Sequence, residues 1–158
     1  MLIIPAVFAL YNKYSASSCN PASWGATCSN AYINDNVRAS AFVFNNQQRS
    51  ATWSGFNMTI PTNTTIDAVQ LLIEYREINL TTKLYVDTGS SASFPLQTYH
   101  EVVGTTSDQT YTIDVTDNQA WTPEILNSPS FSVNGTCVGV TQAGACEIDH
   151  LRTIVFYH

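Results

Sequence analysis

Four cysteines, Cys19, Cys28, Cys137 and Cys146, carry the clearest chemistry in this chain. Each neighbouring pair would close a loop of the same small size, one near each end of the sequence. Zinc ligands usually come as closer C-x₂₋₄-C pairs, so the spacing reads as two local disulfides formed in an oxidising compartment, with free buried thiols or a zinc site as the alternatives. Four cysteines allow three pairings. The equal spacing favours Cys19–Cys28 with Cys137–Cys146, each loop stabilising by roughly 2–3 kcal/mol on the chain-entropy account. Four N-x-S/T acceptors, at Asn57, Asn63, Asn79 and Asn134, point to the same compartment and to N-linked glycans as partners. In a bacterial or viral chain they would stand unused.

The remaining reactive side chains do not assemble into a motif. His100, His150 and His158 lack an H-E-x-x-H or related ligand spacing. Glu147, Asp149 and His150 are close in sequence, but strand alternation divides them between two faces, and a hydrogen-bonded strand edge explains them better than a metal site. Glu74 and Glu77 would suit a glycosidase acid/base pair only across a cleft at a separation of roughly 5–9 Å. Lys13 and Lys83 are the candidates for an isopeptide bond, with nothing local to favour it over solvated lysines. No G-x-S-x-G elbow, P-loop or dinucleotide fingerprint occurs. The sequence therefore nominates no catalytic residue, no metal ligand and no cofactor, and the chain reads as a non-enzyme. Trp24, Trp53, Trp121 and eight tyrosines permit a sugar-stacking face, though core or subunit packing is the preferred use.

These residues must be positioned by strands. The 158 residues suit one domain, and 44% of them are hydrophobic. Charged residues are 11% of the chain, far below the usual quarter or so. Ser, Thr, Asn and Gln take their place, and a net charge of −6 argues against a nucleic-acid partner. Alternating runs predict strands at 37–44, 53–60, 66–76, 80–86, 97–103, 111–115, 131–140 and 148–157. The strongest is 66–76, where Val69, Leu71, Ile73 and Tyr75 oppose Gln70, Glu74 and Arg76. Thr122 followed by Pro123 predicts a short capped helical turn. Residues 15–30 read as a polar loop holding the first cysteine pair. Short strands without a long helical period give an all-β fold, a two-sheet β-sandwich of jelly-roll or Ig-like kind.

Three segments carry a family likeness. Ala31-Tyr-Ile-Asn-Asp-Asn-Val-Arg-Ala-Ser-Ala resembles the opening of a β-sandwich seen in many phage, bacterial and archaeal surface proteins. Residues 56–74, with Phe56, Ile60-Pro61, Ile66, Val69 and Ile73-Glu74, resemble its central stretch. Glu147-Ile-Asp-His-Leu-Arg-Thr-Ile-Val-Phe-Tyr resembles its closing strand. The match covers most of residues 30–158. The chain departs at Asn36, where the usual acidic pair becomes Asp-Asn, which puts in doubt any cation binding that the pair supports in relatives.

Residues 1–11, MLIIPAVFALY, add a second resemblance. They are too short to span a membrane as a helix, lack the positive lead of a secretory signal, and contain Pro5. Both faces of the run are apolar, so it wants a groove to fill. It looks like the tail of donor-strand-complemented filament subunits, such as archaeal threads and chaperone-usher pilins. That resemblance implies a glycosylated filament at the cell surface, with identical subunits as head-to-tail partners. In this reading residues 1–14 are donor strand and linker, with Leu2, Ile3, Ile4, Val7, Phe8 and Leu10 between subunits, and residues 15–158 are the sandwich. The polar stretch 12–18 is the expected linker. Self-insertion of the same strand is the competing arrangement. A carbohydrate-binding module or adhesin, with a surface or glycan target, and a viral capsid or tail-fibre domain are the competing functions.

Overall fold

The computed structural model describes residues 10–158 apart from 22, 25, 26, 80, 81 and 91–99. The described chain forms ten strands: β1 Leu10–Ser15, β2 Ser18–Asn20, β3 Ala39–Val43, β4 Gln48–Ser54, β5 Ile66–Ile78, β6 Thr82–Ser90, β7 His100–Val102, β8 Gln109–Asp114, β9 Phe131–Gly139 and β10 Gly144–Tyr157. One short helix, α1 Pro123–Asn127, opens as its sequence predicts: Thr122 Oγ1 accepts the Ile125 amide at 3.3 Å and Pro123 holds the first position. No helix among the described residues is long and apolar enough to cross a membrane.

The strands make two antiparallel sheets, β1-β10-β5-β8 with β3 also on β10, and β2-β4-β9-β6-β7. The ladders pair β3 with β10, β4 with β9, β5 with β8 and β6 with β7, a set of nested ribbons wound as a jelly roll. Consecutive strands mostly change sheet, so residues adjacent in sequence end up facing each other across the core. Side-chain alternation then fills the space between sheets. Val69, Leu71, Ile73 and Tyr75 of β5 are fully buried, while Gln70, Leu72, Glu74 and Arg76 lie half-buried on the outer face. Trp53 meets them from β4, with Trp24 edge-to-face upon it at 5.2 Å. Gly135 of β9 makes room, since a Cβ there would stand 2.8 Å from the Trp53 ring.

Three expectations need correction. Residues 53–60 are not one strand: Gly55, with φ +69°, breaks the ladder after β4. Phe56, Met58 and Ile60 still point inward, because the Asn127 carboxamide replaces a strand neighbour for Ile60, accepting its amide at 2.9 Å and donating to its carbonyl at 2.8 Å. Residues 12–18 are not a free linker. From Leu10 to Ser15 the chain pairs with β10, and its polar side chains are tolerated because β1 is an edge. The boundary drawn between residues 14 and 15 thus falls inside β1. Within 15–30, β2 and a 3-10 turn at Cys28–Tyr32 replace the expected loop.

Both predicted disulfides are present, Cys19–Cys28 and Cys137–Cys146. The second joins β9 to β10 and therefore ties the two sheets together. Replacing Cys137 and Cys146 by Ser should lower the unfolding free energy by roughly 2–3 kcal/mol in urea titration. A loss well below 1 kcal/mol would mean that the sheets are held without it.

Candidate functional site

Strand β10 contains an extra residue. Ile148 pairs with Tyr75 and His150 pairs with Glu74, so Asp149 has no opposite number on β5. This β-bulge reverses the phase of alternation. Glu147, opposite Arg76, and His150, opposite Glu74, consequently share the outer face of the sheet. The sequence-based division of these residues between faces is overturned at this point, because a period of two holds only while no residue is inserted.

The bulge lies where β10 changes partner. β3 covers Gly144 to Ile148 and β1 covers Arg152 to Tyr157 along the same edge. A polar seam runs across this junction. Arg76 Nε donates to Glu147 at 2.7 Å, Asn34 Nδ2 donates to Glu74 at 2.6 Å, and Ser15 Oγ lies 3.0 Å from His150 Nε2. Arg38, just before β3, holds Asp108, just before β8, by two hydrogen bonds of 3.1 and 2.5 Å. Asp149 is 1% exposed, and neither carboxylate oxygen has a hydrogen-bond partner. Its charge is felt by Arg38, Glu74 and His150. Burial, and then the negative charge of Asp149, raise the Glu74 carboxyl. Burial, and then Arg152, lower the His150 imidazole, which Asp149 partly opposes.

A serine hydroxyl in reach of a neutral imidazole is the first half of a nucleophilic pair. The second half, an acid orienting the ring, is not made: His150 Nδ1 has no hydrogen-bond partner. Among the described residues no three His, Cys, Asp or Glu groups are placed to hold a metal ion. Ser15 at the end of β1 and Asn34 before β3 are thereby tied to the centre of the sheet, and Arg38 ties the segment before β3 to the one before β8.

Other candidate residues are dispersed. Glu77 turns inward beside Tyr75 and accepts the Gly104 amide at 3.0 Å, on the opposite face from Glu74, so the two acids form no pair. His100 contacts Asn118 and His158 contacts Asp67. Lys83 pairs with Glu101 at 2.9 Å and Lys13 lies over the Tyr11 ring, both non-covalent uses. The three indole N–H groups donate to the carbonyls of Arg49, Cys28 and Val115, with Trp24 and Trp53 in the core and Trp121 packed against it. Asn57, Asn63 and Asn79 are exposed, Asn63 and Asn79 at turns and Asn57 in the irregular stretch after β4, and Asn57 and Asn79 have positive φ. Asn134 differs: it is 7% exposed in a central strand, and its Oδ1 accepts from Thr52.

Exposed apolar side chains gather at the two ends of β10. At one end Leu10 lies opposite Tyr157, the last residue of the strand, and Leu10 and Tyr11 are 61% and 59% exposed. At the other end Ala145 is flanked on the outer face by Phe42 of β3 and Ile78 of β5. Phe44 packs against Phe42 with ring centres 5.2 Å apart. These three side chains are 38–53% exposed. Of the sequence-predicted contact residues, only Leu10 is described; Leu2, Ile3, Ile4, Val7 and Phe8 lie outside the described residues. The apolar cluster at Ala145 escaped the sequence reading because Phe42 and Phe44, Ile78, and Ala145 itself come from three separate parts of the chain.

Comparison with known proteins gives little. No family model matches the chain, and no curated protein does. A solved family two carbohydrate esterase from Cellvibrio japonicus aligns with 96% of this chain at 11% identity and a TM-score of 0.38. The chain spans about a third of that protein's length, 35%, and a likeness at this level carries no argument about activity.

Because folding depresses the His150 pKa, the unfolded chain binds more protons as pH falls through the ordinary histidine value of about 6.5. Stability should therefore be complete above that value and decline on acidification. Glu74, whose pKa is raised, acts with the opposite sign. His150→Gln should flatten the fall in melting temperature between about pH 7.5 and about pH 5.5; an unchanged fall would place its origin elsewhere. In glycosylated material, glycopeptide mass spectrometry should find sugar at Asn57, Asn63 or Asn79 and none at Asn134. Sugar on Asn134 would contradict its burial in β9.

Proposed function

We propose that this chain is a structural subunit of an extracellular filament, joined head to tail to identical subunits through its N-terminal apolar segment and serving adhesion or cell contact. The carrying observation is where the chain meets the sandwich. It arrives at Leu10, on an edge strand, at the end of β10, with Leu10 and Tyr11 more than half exposed. Directly ahead stand nine residues without one charged side chain, among them Leu2, Ile3, Ile4, Val7 and Phe8. A segment of that composition gains by leaving water. Burying Leu2, Ile4, Phe8 and Leu10 at about 1.5–3 kcal/mol each supplies roughly 6–12 kcal/mol, and strand addition supplies register. A head-to-tail contact is heterologous and propagates unless rotation closes a ring. The two disulfides suit a non-reducing setting and support placing the filament outside the cell.

The test is removal of residues 1–9, which leaves β1 intact. Electron microscopy and light scattering should show polymers from the whole chain and folded monomer from the shortened one. Filaments from the shortened protein would refute the proposal.

A further inference from the structure

The geometry points to an acceptor surface: we infer that the apolar patch around Ala145 receives the N-terminal segment of a second copy. The inference rests on the filament reading and adds the place where the segment binds.

Ala145 lies at the centre. It is on the outer face of β10 and almost fully buried, because Phe42 and Ile78 rise on either side of it in register. Strands β3 and β5 flank β10, so these two Cα atoms stand about 10 Å apart. The two large side chains close over the small one, and their own outer surfaces, 49% and 38% exposed, present a shallow apolar face. Phe44, packed on Phe42, extends the apolar surface past the end of the sheet. On the other side this face is bounded by the next row of the sheet, Ser40, Glu147 and Arg76, where the Arg76–Glu147 ion pair forms a polar rim. An apolar centre with a charged border is the make-up of a docking surface. The segment at residues 1–9, uncharged throughout, matches that centre.

Reach decides whose segment it is. Leu10 faces Tyr157, and Ala145 lies at the opposite end of the same strand. That is about 40 Å along β10 at roughly 3.3 Å per residue. Drawn out fully, the chain carries Leu2 at most about 29 Å from Leu10, and Phe8 only about 7 Å. No apolar residue from 2 to 8 reaches the patch of its own subunit. A second copy has no such limit, and the polarity is head to tail, with the segment at one end of β10 and its acceptor at the other.

The experiment uses the full chain with a photo-crosslinking benzoylphenylalanine in place of Phe42, in a mixture of isotopically light and heavy copies. Crosslinks should join position 42 of one copy to residues 2–8 of another. Phe42→Asp and, separately, Ile78→Ser should raise the critical concentration for polymer at least about tenfold while the monomer still unfolds in one cooperative thermal transition, whereas Val103→Ser, at an exposed apolar residue elsewhere, should leave the critical concentration unchanged. Crosslinks within one copy, or between two patch residues in a closed dimer, overturn the inference. So does polymerisation that is blocked by removal of residues 1–9 but indifferent to Phe42→Asp and Ile78→Ser; the filament reading then stands without this acceptor. Polymers that survive the removal, or a protein that remains monomeric throughout, overturn both.

Discussion

Strand β10 has hydrogen-bonded neighbours on both edges: β5 along one side, and β3 followed by β1 along the other. It is the strand on which the first sheet is assembled, and most of its residues are buried whichever face they occupy. A slip of one residue would turn Thr153 and Val155 outward and undo three ladders at once. The Cys137–Cys146 bond adds a covalent reason for the register, since it links β10 to β9 in the opposing sheet. The jelly-roll winding follows from this arrangement. The chain's last strand must be flanked by β3 and β5, so the intervening strands fold back as nested ribbons, with consecutive strands mostly alternating between the sheets.

The bulge at Asp149 gives this long strand two functional halves. It lets β10 change partner from β3 to β1, and it brings Glu147 and His150 onto one face with Glu74 and Arg76. The resulting seam consists of hydrogen bonds and ion pairs that touch β1, the segment before β3 and the segment before β8. Burying a carboxylate without a hydrogen bond is costly, and positive Arg38 nearby offsets part of that. Polar contacts of this kind depend on direction. They hold the end of β1 in place, and so they set the line along which the chain reaches the sandwich at Leu10. Away from the bulge the same strand offers an apolar patch at Ala145. One strand thus combines a polar middle with exposed apolar side chains around its two ends.

Asparagine recurs where the backbone turns. Asn36, Asn46, Asn57 and Asn79 are the non-glycine residues with positive φ among those described. Asparagine tolerates the left-handed region better than most residues. At Asn36 this supplies a local reason for the departure from an acidic pair: the position is a turn in which Asp35 accepts the Val37 amide at 2.9 Å. The low share of charged residues has a similar basis. Short polar side chains cap strands, bridge edges and replace missing ladder partners, as Asn127 does for Ile60 and Thr27 does for Ser40.

Much of the fold was legible along the chain. Alternation located β5, β8 and β9 closely, since each has one face toward the core and a period of two survives in the sequence. Equal cysteine spacing identified both disulfides, because short loops bring their ends together whatever the remainder does. Thr122-Pro123 specified a helix start from local hydrogen bonding alone. Four features had no such local origin. Alternation at Phe56, Met58 and Ile60 reports burial and not pairing, so it did not reveal that a side-chain amide takes the place of a strand. Polar residues 12–15 gave no sign of a strand, because an edge strand needs backbone partners more than apolar side chains. The inserted residue at Asp149 left no mark in the sequence, yet it decides which side chains share a face. The patch at Ala145 exists only once β3, β5 and β10 lie side by side, because burial of a small residue between two large ones is a property of neighbouring strands and not of any one of them.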